Sequence, residues 1–278
     1  MDGCERIQKS IDFIESHLKD DIDIYSIVEQ SHFSTTHFYR IFNALVGDSL
    51  KDYIRKRRLS NAVIELSTSK KRLIDIAFEY GFNSQEVFTR AFYRTFGITP
   101  GRYRTEKNKM VLYEKINVNQ KILNNLSQGI SLEPRIILDK EFKVVGLKKT
   151  VKPGDDLIRN LWVDFDLRKS EINNVNSPAP LMGLCEYMPN ITDTSEFTYL
   201  ACVEVSCFNH IPSKMISKII PSSKYAVFTH KGSLEGLKST YAYIYGTWLL
   251  HSKYELAELD TIELYYDNAR LDLYIPIK

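Results

Sequence analysis

The spacing of apolar residues changes character along the chain. Up to about residue 107, apolar side chains recur every three or four positions, which predicts amphipathic helices. Beyond about residue 131 the period shortens to two in several segments, which predicts strands at 142–151, 181–188, 197–206, 224–230, 261–266 and 271–277. Helical stretches at 155–171 and 234–251 interrupt these strands. Residues 108–130 have only a weak helical period, so we expect a linker with room for a short helix.

The helical half contains an internal repeat. Residues between 24 and 33 recur 49 positions later, and residues between 40 and 53 recur 50 positions later. The matching pairs are Ile24 and Leu73, Ile27 and Ile76, Val28 and Ala77, Phe33 and Phe82, Arg40 and Arg90, Phe42 and Phe92, Gly47 and Gly97, and Tyr53 and Tyr103. Each copy reads as a short helix, a polar turn and a second helix, so the sequence predicts two helix-turn-helix units in tandem.

The polar turns carry residues suited to a tight reversal of the chain. Gly81 and His32 both tolerate a left-handed backbone, and Ser34 or Asn83 can cap the helix that follows. In each second helix the periodicity places aromatic and aliphatic residues inward, Val87 among them. It places the following side chains outward: Thr36, Tyr39, Arg40 and Asn43 in the first copy, and Gln85, Glu86, Thr89, Arg90 and Arg94 in the second.

Charge is distributed unevenly along the chain, although the formal net charge is only +2. Residues 51–109 carry 14 Lys and Arg against 6 Asp and Glu, whereas residues 1–50 carry 4 against 9. A basic segment beside two polar helix faces is the electrostatic pattern of a nucleic-acid-binding domain. The alternative is a small helical domain whose charged face is simply solvated. The repeat together with the charge favours DNA binding.

The run from Gly81 to Phe92, followed by Phe96 to Arg104, closely resembles the signature of AraC/XylS-type transcriptional regulators. Ser34 to Phe42, Gly47 and Tyr53 to Arg58 match the first half of the same domain, so the resemblance covers about residues 5–107. It implies two recognition helices, joined by a long helix at about 49–67, that enter successive major grooves of double-stranded DNA. One chain could therefore bind as a monomer, and the sequence leaves the oligomeric state open.

The resemblance also implies roles for individual residues. It assigns base reading to Thr36, Tyr39 and Arg40 in the first unit and to Gln85, Glu86, Thr89 and Arg90 in the second. Chemistry adds that Arg40 and Arg90 suit guanine, Gln85 adenine or a phosphate, and Glu86 a cytosine amino group. Arg94 follows on the same outward face, and Lys56 on the connecting helix is expected to hold the phosphate backbone. RNA polymerase is a partner implied by the family, and activation is the implied sign of regulation.

The second half also looks duplicated, because the order strand, helix, strand, strand occurs twice. Two βαββ units are expected to share one antiparallel sheet with helices on one face, an α+β fold. Residues 131–278 resemble the GyrI-like small-molecule-binding domain, notably in Phe197 to Val205, Ile220 to Gly232 and Tyr243 to Leu249. We therefore expect an all-α tandem helix-turn-helix domain at 1–107, a linker at 108–130 and a GyrI-like domain at 131–278.

The resemblance implies an effector that is a small organic, often cationic aromatic compound, as in multidrug sensing. Aromatic rings attract organic cations and a half-buried carboxylate compensates their charge. The candidate effector-binding residues are Glu263, Trp248, Tyr245, Tyr265, Glu186 and Tyr187. Thr261, Glu263 and Tyr265 share one strand face. Equally, these aromatic residues could be core and these carboxylates solvated.

Two other functions remain open for the second half: a small-molecule hydrolase that uses Glu263 as a base, or a module that docks a protein without a ligand. The sequence shows no nucleophile–base pair, phosphate loop or zinc spacing, so we expect no enzyme, metal or cofactor. With 278 residues and 44% hydrophobic content, the chain can form two cores. We expect neither a signal peptide nor a membrane-spanning segment, and the four cysteines predict a reducing cytoplasm.

Overall fold

The computed structural model describes residues 2–107, 109–127, 133–139, 141–152, 156–177, 180–192, 195–266 and 270–278. The chain divides into two compact units, Met1–Asn124 and Asn125–Lys278. In the described residues, no helix has the length and apolar character needed to cross a membrane. The last residues of the expected linker, 128–130, and the first residue of the helix expected at 155–171 lie outside the described residues.

The regular elements in the described part of the first unit are helices, and a non-helical segment lies at 109–117. Its helices are α1 (Gly3–Ser16), α2 (Ile24–Ser31), α3 (Thr35–Val46), α4 (Leu50–Thr68), α5 (Leu73–Glu79), α6 (Gln85–Phe96) and α7 (Pro100–Glu106). Helix α8 (Val118–Ser127) begins in this unit and runs past its last residue, Asn124. Helices α2 and α3 form the first predicted helix-turn-helix unit, and α5 and α6 form the second. Helix α4 connects them, as expected for this fold.

The turns of the two copies reverse the chain by the predicted chemistry, with one difference. His32 and Gly81 both have a left-handed backbone, with φ of 53° and 72°. Ser34 caps α3 by accepting a hydrogen bond from the His37 amide. In the second copy the cap is Ser84, which accepts from the Val87 amide, and Asn83 is not the cap. Because the second turn is one residue longer, the residue equivalent to the Ser34 cap is Ser84 and not Asn83.

Aromatic residues form the core of each helix-turn-helix unit. Phe38, Phe42 and Tyr53 pack together in the first, with neighbouring ring centroids 5.5 and 5.7 Å apart. The second core brings four aromatic residues together with apolar residues of α4: Phe82, Phe88, Phe92 and Tyr103 with Leu59, Ala62, Val63 and Leu66. Burial of these side chains is the main stabilising contribution of such a small domain. Helix α4 thus supports the second unit with one end and the first with Leu50 and Tyr53.

The segment that follows α7 packs against the first unit. The Tyr113 amide donates to the Ser60 hydroxyl over 3.0 Å, and the Val118 amide donates to the Gln8 side chain over 2.9 Å. Val118 and Ile122 are almost completely buried. The first part of the expected linker is therefore an ordered part of the helical unit.

The second unit is built on an antiparallel sheet to which the described residues contribute eight strands. These are β1 (Arg135–Asp139), β2 (Phe142–Val151), β3 (Leu181–Cys185), β4 (Phe197–Glu204), β5 (Ile216–Ile220), β6 (Ser223–Lys231), β7 (Thr261–Tyr265) and β8 (Arg270–Ile277). Their order is β1-β6-β8-β7-β3-β4-β2-β5. The first half of the unit holds β1–β4 and the second half β5–β8, so each half has one strand more than the predicted βαββ. The first strand of each half lies at an edge of the sheet and pairs with the other half: β1 with β6, and β5 with β2.

Helices cover one face of this sheet. Helix α9 (Leu157–Arg168) packs on β2 and β4. Helix α10 (Leu237–Tyr243) continues through a π-helical stretch, Ile244–Trp248, into α11 (Leu249–His251), and its Thr240 bonds His230 of β6. The opposite face is also apolar: one buried cluster there draws side chains from all eight strands.

Candidate functional site

The polar face of α6 is exposed. Gln85, Glu86, Arg90 and Arg94 are all exposed, and Thr89 is half-buried. A hydrogen bond from Ser84, the backbone at Glu86 and the positive charge of Arg90 together lower the pKa of Glu86, so this carboxylate is ionised at neutral pH. Val87 is 40% exposed, contrary to its predicted inward position, whereas the neighbouring Phe88 is fully buried. Val87 adds an apolar contact to the polar face.

Helix α3 is more deeply buried than its repeat partner. Thr36 and Tyr39, predicted to face outward, are only 1% and 2% exposed, and Arg40 is half-buried. Of the 12 residues of α3, eight are buried, so this helix is packed on more than one side. The expected outward orientation of Thr36 and Tyr39 is therefore wrong, since periodicity finds the most apolar face but not a second packed face.

Several basic residues of α4 are engaged within the helical unit. The Lys56 Nζ pairs with Asp48 at 2.7 Å and lies over the Tyr113 ring. Arg57 forms a two-pronged contact with Glu15, at 2.8 and 2.7 Å, that ties α4 to α1. Arg58 donates to the carbonyls of Leu18 and Asp20. The positive charge counted along the sequence is thus partly neutralised by internal partners.

In the second unit, Glu263 lies at the centre of a cluster of tyrosine hydroxyls on the helix-covered face of the sheet. Among the described residues, three tyrosines donate to its carboxylate. Tyr199 of β4 and Tyr265 donate to Oε2 over 2.7 and 2.6 Å, and Tyr241 of α10 donates to Oε1 over 2.6 Å. Glu263 itself is 4% exposed. The sheet and the helix thus hold the two carboxylate oxygens from different sides.

Gly183 of β3 makes this convergence possible. It pairs with Glu263 on one side and Ala201 on the other, so it lies between the strands that carry Glu263 and Tyr199. A β-carbon at Gly183 would lie 2.1 Å from the Tyr199 Oη and 3.0 Å from the Glu263 Oε2. The glycine leaves the gap through which Tyr199 crosses β3.

The electrostatics of the cluster leave one negative charge without a cation. Burial, reinforced by the charge of Glu263, raises the pKa of Tyr199, Tyr241 and Tyr265, so all three remain neutral donors. Among the described residues no Lys, Arg or His forms an ion pair with Glu263. Those residues also contain no group of His, Cys, Asp and Glu that could hold a metal. The cluster therefore presents a buried carboxylate with neutral partners.

Comparison with known families gives two matches. Residues 132–278 match the GyrI-like small molecule binding domain, and residues 27–106 match a helix-turn-helix domain of the AraC type. The first match alone covers more than half of the chain. This chain belongs to the AraC-type transcriptional regulators that carry a GyrI-like domain. Its fold class, DNA-binding function and domain architecture agree with the expectations from sequence.

Relatives of this AraC-type regulator match it over part of the chain or over its whole length. YbfP, an HTH-type transcriptional regulator of Bacillus subtilis, is 50% identical over 99 residues, which are 36% of this chain and 34% of YbfP. The transcriptional regulator Rob of Salmonella typhimurium is 24% identical over 294 residues and covers 100% of both chains. The transcriptional regulator BrlR of Pseudomonas aeruginosa is 30% identical over 194 residues, 63% of this chain and 70% of BrlR. The chain thus spans about a third of YbfP and the full length of Rob.

The structure gathers only part of the predicted effector set around Glu263. Tyr265 contacts it directly, and Tyr245 lies one step away, stacked on Tyr241 with centroids 6.0 Å apart. Trp248 packs instead against Phe228 and Tyr254. Its counterpart in the first repeat, Trp162 of α9, is the tryptophan at the site, with its ring centroid 5.0 Å from that of Tyr265.

Glu186 lies outside the cluster, in an ion pair of its own. Glu186 accepts a 2.6 Å contact from Lys218, which also pairs with Asp260 at 2.7 Å. The Tyr187 amide donates to the same Asp260 carboxylate. Lys218 shares the face of β5 that contributes Ile216 and Ile220 to the cluster opposite the helices. The structure therefore separates Glu186 from Glu263, and for Tyr187 it shows the backbone contact with Asp260.

Sequence reasoning missed Tyr199, Tyr241, Trp162 and Gly183. Tyr241 precedes Tyr245 by four residues, so the same helix face could have indicated it. Trp162 could have been found from the repeat, which pairs it with Trp248. Tyr199 and Gly183 depend on which strands are neighbours, and no local pattern reveals that order.

Proposed function

We propose that this regulator senses a small organic cation with aromatic groups, bound at the Glu263 cluster. The observation that carries the proposal is a carboxylate 4% exposed, surrounded by neutral hydroxyls and without a cationic partner among the described residues. A buried charge without a counter-charge is costly, so a cationic ligand gains free energy there. The rings of Trp162, Tyr199 and Tyr265 supply faces and edges that favour an aromatic cation.

Another buried carboxylate of the same unit supports this reading by contrast. Asp272 is 1% exposed and pairs with both Arg135 and Arg270, at 2.9 and 2.5 Å. The protein thus compensates this carboxylate with its own cations. Glu263 is equally buried, and its compensation is left to a ligand.

For DNA binding, we propose that α6 reads bases through Gln85, Glu86, Thr89 and Arg90, with Arg94 on the adjoining turn. Exposure of Gln85, Glu86, Arg90 and Arg94 supports the assignment, and Thr89 is half-buried on the same helix. Arg40 of α3 is the candidate reader in the first unit, while Thr36 and Tyr39 need a change in their surroundings before they reach DNA. Lys56 contacts a phosphate in competition with Asp48. RNA polymerase as a partner, activation and monomeric binding complete the proposal.

The effector site is tested by thermal unfolding of the full chain with tetraphenylphosphonium, a bulky aromatic cation, followed by recovery of the compound. Wild type is expected to be stabilised, because a ligand that binds only the folded state raises the melting temperature. Glu263→Gln should abolish the rise, while Glu186→Gln on the opposite face should retain it.

The same experiment separates the rival functions. Equal stabilisation of Glu263→Gln would contradict the proposed site. Recovery of a cleaved compound from a hydrolysable analogue would favour a hydrolase instead. No response to any aromatic cation would favour a protein-docking module for the second domain.

A further inference from the structure

The helix-covered face of the sheet, which holds the Glu263 cluster, also contains a buried hydroxyl at Thr261. This residue lies two positions before Glu263 on β7, so both side chains point to the same face of the sheet. Thr261 is 2% exposed, and its Oγ1 finds no hydrogen-bond partner among the described residues. Buried hydroxyls are normally paired, so this hydroxyl requires an explanation.

The strand register places Thr261 beside the tyrosine cluster. Thr261 is directly opposite Cys185 of β3, and Cys185 is directly opposite Tyr199 of β4. These residues form one row across the sheet, and Glu263 and Gly183 form the next row. Tyr199 leans from its own row to bond Glu263, so its side chain connects the two rows. The Cα atoms of Thr261 and Glu263 are therefore one strand repeat, roughly 7 Å, apart.

An unpaired hydroxyl in this position stabilises nothing in the protein itself. Valine has the same shape and would avoid the cost of desolvating a polar group. A threonine gains a hydrogen bond there only when something else supplies the acceptor. The ligand site proposed nearest to Thr261 is the Glu263 cluster, so a ligand bound there could supply the acceptor.

We propose that the effector carries a hydrogen-bond acceptor in addition to its positive charge, and that the Thr261 hydroxyl donates to it. The ligand class is then an aromatic cation with a carbonyl, ether or similar acceptor about one strand repeat from the cationic centre. Glu263 selects the charge and Thr261 selects the acceptor. This inference rests on the cation site proposed at Glu263.

A matched pair of ligands tests the acceptor. In para-acetylphenyl-triphenylphosphonium a carbonyl oxygen lies about one strand repeat from phosphorus, and in para-isopropylphenyl-triphenylphosphonium a methyl group takes its place. By calorimetric titration, the wild-type full chain should bind the acetyl compound about fivefold more tightly, the worth of one neutral hydrogen bond. Thr261→Val should bind both compounds with the affinity that wild type has for the isopropyl compound.

Two further variants make the outcomes distinguishable. Thr247→Val is the matched control, because Thr247 Oγ1 is also buried and unpaired among the described residues but belongs to the π-helical stretch. It should keep the fivefold preference, whereas Glu263→Gln should lose binding of both compounds. The unliganded Thr261→Val protein should melt no lower than wild type, which shows that it folds.

Several results would overturn the inference. Equal binding of the two compounds by wild type, with both lost in Glu263→Gln, would reject the role of Thr261 and leave the cation site intact. A preference that survives in Thr261→Val or disappears in Thr247→Val would place the donor elsewhere. If wild type binds neither compound, the cation site fails together with this extension.

Discussion

Tyr199 and Glu263 lie on strands that do not pair with each other, yet the tyrosine hydroxyl donates a 2.7 Å hydrogen bond to the carboxylate. Strand β3 runs between them, and the absence of a side chain at Gly183 opens the path. One glycine thus determines whether the cluster can form.

Gly183→Ala is expected to displace Tyr199 and break this bond. The added methyl group would meet the Tyr199 Oη, so we expect a loss of about 1–3 kcal/mol in the free energy of unfolding. Affinity for tetraphenylphosphonium should fall as well. Urea unfolding and calorimetric titration measure the two effects. Gly101→Ala is the control, because its β-carbon would make only an ordinary 3.6 Å contact with Leu73; a similar loss in both variants would refute the steric argument.

Arg90 is expected to discriminate between bases. Its guanidinium is exposed on α6 and forms no ion pair with the described residues. Arg90→Ala should lose about 1–3 kcal/mol on a DNA duplex selected by the wild-type protein and less on random DNA. Fluorescence anisotropy at fixed salt measures both affinities, with Arg168→Ala in the second unit as control. Equal losses on the two duplexes would mean that Arg90 contacts only phosphate.

Arg57 is expected to act on stability and not on base preference. Its pair with Glu15 is largely shielded from water, with side-chain exposures of 13% and 12%. Arg57→Ala leaves a shielded carboxylate without its cation, which should cost about 1–3 kcal/mol in urea unfolding. The exposed Arg55, paired with Asp52, offers a control that should change stability by less than about 0.5 kcal/mol. A shift in base preference for Arg57→Ala at unchanged stability would contradict this role.

These outcomes indicate what a sequence can and cannot predict. The helix-turn-helix repeat could be predicted because His32, Gly81, Gly47 and Gly97 act locally, through backbone conformation at helix ends. The Glu263 cluster could be predicted only in part. Glu263 and Tyr265 share a strand, whereas Tyr199 arrives from β4 through the order of the sheet.

The missed edge strands have a related cause. β1 and β5 each pair with one neighbour only, so they need fewer alternating apolar residues than a central strand. In β1, Ile136 and Leu138 point to solvent at 38% and 81% exposure, which removes the period-two signal. Trp248, predicted at the effector site, packs against Phe228 and Tyr254 instead, because residues at comparable places in a repeat need not have equivalent surroundings.

Acid should destabilise the second unit through Asp272. Burial alone would raise the pKa of this carboxyl group, but hydrogen bonds from Arg270 and Thr229 outweigh it and hold the pKa below its ordinary value of 3.8. Because folding lowers the pKa, the ionised group stabilises the fold above its ordinary pKa of 3.8. This stabilisation is lost as the pH falls from there through the lowered pKa. Between about pH 6 and about pH 3, wild type should lose more stability than Asp272→Asn.

The control for this pH dependence is Glu171→Gln. Glu171 also has a lowered pKa, caused by Arg168, but the pair is solvent-exposed and its contribution is screened. Its acid sensitivity should match that of wild type. If Asp272→Asn keeps the full wild-type loss of stability on acidification, Asp272 is not the responsible group.

The most direct test of the Glu263 site compares tetraphenylphosphonium with tetraphenylborate, which have nearly the same shape and opposite charge. Calorimetric titration of the full chain should show binding of the cation and none of the anion, and Glu263→Gln should remove the difference. Equal binding of both ions by wild type would show that shape and apolar surface select the ligand, and it would contradict a site organised around the charge of Glu263.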